Sequence, residues 1–127
     1  MKKLLLLAAA AAFVATPALA DLSAELSVGQ THAGMAATQT DVAMVHTHLQ
    51  HALNCLVGPT GAGFDAGHGN PCAKAFGGGA IADATSPAQK AKLEAAAASA
   101  KDGIASADLA AAQKSAQATA DGIGAAK

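Results

Sequence analysis

Arginine, tryptophan and tyrosine are all missing from this chain of 127 residues, and aromatic residues make up only 2% of it. Proteins that bind nucleic acids use basic clusters to contact the phosphates and aromatic rings to stack on the bases. Both are missing, so the sequence excludes nucleic-acid binding. With so few large aromatic side chains, the core has to be built mainly from alanine, leucine, valine and isoleucine.

Long hydrophobic runs are also rare, and the one that occurs lies at the amino terminus. It has the three parts of a secretory signal peptide, in the order Lys2-Lys3, an apolar run over residues 4–14, and the cleavage pattern Ala18-Leu19-Ala20. The run is too short to span a bilayer. We therefore predict that residues 1–20 are a signal peptide and that residues 21–127 form a single periplasmic domain without membrane insertion.

Cysteine is scarce, and the two residues of this type are Cys55 and Cys72. In an exported chain, a pair of cysteines is most often joined in a disulfide. Closing a loop of this size stabilises a fold by about 3 kcal/mol in the chain-entropy model. The alternative, two thiolates that bind a metal, needs a reduced state that an oxidising compartment rarely maintains.

Apolar periodicity predicts helices on both sides of a glycine-rich middle. In the first half, a weaker helix spans about Ser23 to Ala37, and a stronger one follows a cap at Thr40 or Asp41. In the second half, a helix runs from Ser86-Pro87 to Asp102-Gly103, and another from Ser106 or Asp108 to about Gly122. We expect an all-α four-helix up-down bundle of two hairpins, 22–57 and 86–124, joined by the disulfide-stapled loop 58–85.

Histidine is concentrated in one place, since three of the five histidines fall within six positions of the second helix. In helical projection, His48 and His51 share a stripe with Met44 and Cys55, whereas His46 lies on the opposite flank of the apolar stripe. Imidazoles at i and i+3 can share a transition metal. Because only neutral imidazole binds, metal affinity should fall as the pH drops through about 6.5.

The predicted ligand set follows from that pair and from the side chains that can reach it. The ion is expected to be copper, nickel or zinc. The candidate ligands are His48, His51, His46, His32, His68 and Met44.

Other chemistry is poorly represented. The segment from Gly58 to Gly63 lacks the Lys-Ser/Thr pair of a phosphate-binding loop, and no Cys-x-x-Cys-His motif is present for haem attachment. No nucleophile sits in a strained turn, and few large side chains are available to wall a pocket. We therefore expect a protein that is not an enzyme. The alternative to metal binding is an envelope interaction protein whose histidine face contacts a protein partner or a second copy.

The signal peptide, the Ala-rich hairpins and the histidines of the second helix resemble the small periplasmic metal-binding proteins of the His-rich four-helix-bundle type. That resemblance implies reversible binding of divalent copper, nickel or zinc for buffering or delivery. Two features depart from it, since the second hairpin has no histidine and the segment from His48-x-x-His51 through Asn54-Cys55 to Asn70-Pro71-Cys72 has no counterpart there. This segment resembles exported bacterial proteins of unassigned function. The departures imply one or two sites rather than many.

Overall fold

A computed structural model describes residues 21–75 and 77–127, so the predicted signal peptide lies outside the described residues. The described residues contain five α-helices, two 3₁₀ turns and no β-strand, which confirms the all-α prediction. None of these helices is both long enough and apolar enough to cross a bilayer. The helices are α1 (Leu22–Thr38), α2 (Val42–Val57), α3 (Ala80–Asp83), α4 (Pro87–Ala105) and α5 (Leu109–Gly124), and the turns are Ala66–His68 and Ala73–Ala75.

Short polar side chains cap the four long helices. The hydroxyl or carboxylate of the cap accepts a hydrogen bond from a backbone N–H of the first turn, at 2.7–3.1 Å, and so satisfies a donor that the helix leaves free. The four caps are Asp21, Asp41, Ser86 and Asp108. Of the alternatives that the sequence left open, Asp41 caps α2 and Asp108 caps α5.

Two helix ends differ from the sequence-based prediction. α4 continues through Asp102-Gly103 to Ala105, and α5 continues past Gly122 to Gly124. Gly103 does not end α4 because it is buried where α4 meets its neighbours. A Cβ at this position would collide with the side chains of Leu49 and Ser115. The glycine therefore serves close packing rather than termination.

The first two helices run antiparallel and very close together. A Cβ at Gly29 of α1 would lie 3.4 Å from the Cβ of Cys55 near the end of α2. Nearer the connection between the helices, His32 of α1 faces His48 of α2. Gly29 thus does not interrupt α1, and it lies in the contact between the two helices.

The core consists of a few aliphatic side chains surrounded by alanine. Small residues allow the helices to pack closely, which compensates for the lack of aromatic rings. The largest fully buried aliphatic side chains are Val45, Leu49, Leu53, Leu56, Leu93 and Ile123. All six lie on the apolar faces that periodicity predicted.

The described residues of the glycine-rich segment between α2 and α4 are tied to the end of α2. The predicted disulfide between Cys55 and Cys72 is present, with the two Cα atoms 5.2 Å apart, so this prediction is confirmed. Gly58 ends α2 with a φ of 68°, and a Cβ there would collide with the backbone of Gly78. The chain therefore folds back against the end of α2 before α3 begins.

A pair of carboxyl groups is buried where α1 meets α3. Glu25 is only 2% exposed, and Oε2 of Glu25 and Oδ2 of Asp83 are both buried without a hydrogen-bond partner. A Cβ at Gly77 would collide with both carboxyl groups, so the chain passes directly over them. Burial, together with the neighbouring Asp83 carboxylate, raises the pKa of Glu25 from 4.5 to about 7.

This pKa predicts an unusual pH dependence of stability. Between pH 4.5 and 7 the folded protein holds a proton on Glu25 that the unfolded chain releases. The stabilisation of the fold by this proton is therefore fully present in acid and is lost as the pH rises through 7. We expect Glu25→Gln, which is neutral at every pH, to remove it. The free energy of unfolding of the variant minus that of wild type should therefore be roughly 3 kcal/mol larger at pH 8 than at pH 4.5. Urea denaturation across this range measures the difference, and parallel pH profiles of the two proteins would contradict the assignment.

Candidate metal centre

Three histidines from two helices converge on one face of the molecule. His32 comes from α1, and His48 and His51 come from successive turns of α2. One ring nitrogen from each lies within 4.8 Å of the others, and the Nδ1 atoms of His32 and His48 are 3.3 Å apart. The rings are half-buried, with the centroids of His32 and His51 4.8 Å apart and nearly perpendicular. We call these three residues the histidine trio.

The ring of His51 is held in one orientation by the loop. Its Nε2–H donates a hydrogen bond of 2.6 Å to the backbone carbonyl of His68. The proton is therefore on Nε2, and Nδ1 carries a free lone pair. That Nδ1 atom is buried and has no hydrogen-bond partner. A buried acceptor without a partner is costly unless something binds it.

The loop that supplies this carbonyl is fastened to α2 by Asn54. The Asn54 side chain is only 1% exposed, and its Nδ2 donates to the carbonyls of Asp65, at 2.8 Å, and Gly69, at 2.6 Å. Its Oδ1 accepts from the Asp65 N–H and from Nε2 of Gln50, both at 3.0 Å. All donors and acceptors of this amide are satisfied. Residues 65–69, which include His68, are thereby fixed one turn along α2 from His51.

Burial and mutual repulsion lower the pKa of two of the three histidines, His32 and His48. Desolvation lowers the pKa of His32 below 6.5, and the neighbouring His51 and His48 lower it further. The pKa of His48 is lowered in the same way, first by desolvation and then by His51. Protons therefore compete for these two rings only at a more acidic pH than the value of 6.5 expected from the sequence. At neutral pH both rings are ready to act as ligands.

The spacing of the trio suits a small transition metal. In a tetrahedral site with metal–nitrogen bonds of about 2.0–2.1 Å, ligand atoms lie about 3.3 Å apart. The Nδ1 atoms of His32 and His48 share one proton in a hydrogen bond and already lie 3.3 Å apart. A metal would replace that proton between them. The ligand atom of His51 lies within 4.8 Å of the other two. Three protein ligands leave one coordination position open to water or to another ligand.

The remaining predicted ligands have other surroundings. Nε2 of His46 donates to the carbonyl of Ser106 at 2.7 Å, so this ring lies between α2 and the end of α4. Nδ1 of His68 pairs with the Asp65 carboxylate at 2.9 Å, and His68 contributes its backbone carbonyl to the site rather than its ring. Met44 is exposed on α2 one turn before His48.

Sequence reasoning ranked His32 too low and did not identify the role of Asn54. His32 was one of several ligands that could reach the pair, and only the antiparallel contact of α1 with α2 brings it to His48. A signal for Asn54 was present, because Gln50 and Asn54 are polar residues next to the apolar stripe of a helix that precedes a glycine-rich loop. Such residues, when buried, must find backbone partners.

No family model matches the chain, and neither a curated protein nor a solved structure shows significant similarity to it.

Proposed function

We propose that this protein binds a divalent transition metal through His32, His48 and His51. The observation that carries the proposal is the buried Nδ1 of His51, which has no partner. His51 also belongs to a group of three histidines whose ring nitrogens, one from each residue, lie within 4.8 Å of one another. A hydrogen bond that fixes one ring nitrogen so that the other can bind an ion is the usual outer-shell arrangement of a metal-bound histidine.

Copper, nickel or zinc fits this donor set best. The trio offers three neutral imidazole nitrogens and no carboxylate. Imidazole suits these ions, whereas calcium and magnesium require oxygen ligands. Because neutral ligands leave the positive charge of the ion uncompensated, the open position should hold water, hydroxide or an anion.

A role in holding or passing on the ion fits better than catalysis. Three surface clefts in the described part of the chain have volumes of about 490, 350 and 250 Å³, and no trio histidine lines any of the three. An organic substrate bound in any of these three clefts would not lie against the trio. We propose buffering or delivery of the metal, with no reaction at the open position.

Export and bundle topology are part of the same proposal. The signal-peptide pattern in residues 1–20 supports export to the periplasm, and the Cys55–Cys72 disulfide agrees with an oxidising compartment. We further propose that the four long helices alternate in direction. This is supported by contacts such as His32 with His48, and Gln89 with the carbonyl of Ala126.

Removing any one of the trio should largely abolish metal binding. We expect His32→Ala, His48→Ala and His51→Ala each to lower the affinity for zinc by at least about 100-fold, because loss of a ligand exceeds the 10–100-fold cost of losing an outer-shell partner. Isothermal titration calorimetry with zinc, copper and nickel measures the effect.

Two further histidines serve as matched controls for this experiment. His46→Ala removes a ring bonded to Ser106, and His68→Ala removes a ring while keeping the backbone carbonyl that orients His51. Both variants should bind zinc as wild type does. Wild-type affinity in all three trio variants would refute the proposed site, as would loss of binding in His46→Ala.

The fastening of the loop by Asn54 predicts a coupling between stability and affinity. We expect Asn54→Ala to lower the free energy of unfolding by about 2–3 kcal/mol, because it removes the four hydrogen bonds of a buried side chain. The affinity for zinc should fall about 10-fold, since the carbonyl that orients His51 is no longer held. Chemical denaturation and calorimetry measure the two effects.

The control for Asn54→Ala is Gln117→Ala. Gln117 donates to Asp121 one turn along α5 at 2.9 Å, a pair that resembles Gln50–Asn54 but is exposed and holds no loop. We expect wild-type affinity in this control. If Asn54→Ala were destabilised but bound zinc as tightly as wild type, the loop would have no part in orienting His51.

A further inference from the structure

Two large hydrophobic side chains in the described part of the chain are exposed, and both are methionines. Met35 of α1 is 39% exposed and Met44 of α2 is 42% exposed. Methionine is ordinarily among the residues most often buried. The other large aliphatic side chains of the described residues are buried or partly buried.

Both methionines lie next to the histidine trio, on the side toward the connection between α1 and α2. Met35 follows His32 by three residues, and Met44 precedes His48 by four. The helices are antiparallel, and the contact between His32 and His48 fixes their register. One turn from that contact toward the connection reaches Met35 on one helix and Met44 on the other. The two residues therefore lie at the same level on neighbouring helices.

The two methionines also lie on the same side of the helix pair. At 100° per residue, Met44 projects about 20° from His51 and about 40° from His48. Met35 projects about 60° from His32, on the side opposite to the buried Ala33 and Ala36. On each helix, the methionine is rotated away from the buried face relative to the histidine that contacts the other helix. In an antiparallel pair, two such rotations put both side chains on the same side of the pair, where they border the groove that the trio occupies. Their long, flexible side chains can reach across it.

Thioether sulfur adds a chemical preference that imidazole lacks. Sulfur ligands are soft and polarizable and select monovalent copper, whereas imidazole binds copper in either state as well as nickel and zinc. Two imidazoles and two thioethers form a neutral set of four ligands. Such a set suits a soft monovalent ion, which carries less charge into the half-buried groove than a divalent ion does.

We propose that Met35 and Met44, together with His32 and His48, form a binding mode for monovalent copper beside the divalent mode of the trio. The proposal rests on the proposed function in that the two modes share His32 and His48. His51 belongs to the divalent mode, and the two methionines belong to the monovalent mode. The protein would then hold copper in either oxidation state by exchanging ligands within one groove. No oxidation or reduction of the ion by the protein is proposed.

The test compares the double variant Met35→Leu/Met44→Leu with wild type. Leucine keeps the size and hydrophobicity of methionine but has no sulfur, and both positions are exposed, so the fold should be retained. Under anaerobic conditions, competition with a chromophoric chelator of monovalent copper should show at least about a tenfold loss of affinity in the variant. The affinity for zinc should be unchanged, whereas His51→Ala should lose zinc and keep monovalent copper.

Silver provides a second measurement that does not depend on the variants. Ag(I) is an air-stable soft monovalent ion, and one equivalent added to wild type should shift the ε-methyl resonances of Met35 and Met44 in carbon–proton NMR spectra. Unshifted methyl resonances, or equal affinity of wild type and the leucine variant for monovalent copper, would overturn the proposal. Neither result would affect zinc binding by the trio, so failure of this inference is distinguishable from failure of the proposed function.

Discussion

The arrangement of the candidate site depends on the docking of one loop onto α2 through the buried amide of Asn54. Four hydrogen bonds from this side chain hold the backbone at Asp65 and Gly69 and reach Gln50. The disulfide to Cys72 closes the same segment one residue further along α2. With the loop fixed, the carbonyl of His68 is placed where it sets the tautomer of His51. The docked loop thereby fixes the orientation of the His51 ring and leaves its Nδ1 free to bind an ion.

A core with few large side chains makes this docking necessary. Alanine and glycine let the helices approach closely, but each contributes little apolar area, so the loop cannot be held by hydrophobic burial alone. A covalent link and a saturated buried amide take over that role, as disulfides do in small domains with little hydrophobic core. The same close packing brings α1 near enough to α2 for His32 to contact His48. The geometry of the trio therefore depends on the close packing of a core that is built from small residues rather than aromatic ones.

Much of this fold follows from local sequence rules. Apolar spacing and the candidate caps (Thr40 or Asp41, Ser86, and Ser106 or Asp108) indicated four long helices, and the two cysteines indicated the disulfide. Helical projection put His48 and His51 on one stripe of α2. These features depend on a single helix or on a pair of residues, which is why one sequence suffices to predict them.

The features that the sequence did not reveal depend on contacts between distant segments. The position of His32 in the site depends on the register of α1 against α2, which brings its ring to His48. His68 contributes through its backbone carbonyl, a group that every residue type has, so the sequence does not indicate this role. The continuation of α4 through Gly103 depends on Leu49 and Ser115 of neighbouring helices, a tertiary effect that outweighs the local preference of glycine for helix ends.

The most direct test of the account is the protonation and metal binding of the histidine rings, observed by long-range nitrogen–proton NMR of the uniformly ¹⁵N-labelled protein. Without metal, His51 should carry its proton on Nε2 and an unprotonated Nδ1. One equivalent of zinc should shift Nδ1 of His51 and one nitrogen each of His32 and His48, while the rings of His46 and His68 stay unchanged. Unchanged trio resonances, or equal shifts spread over all five histidines, would contradict it.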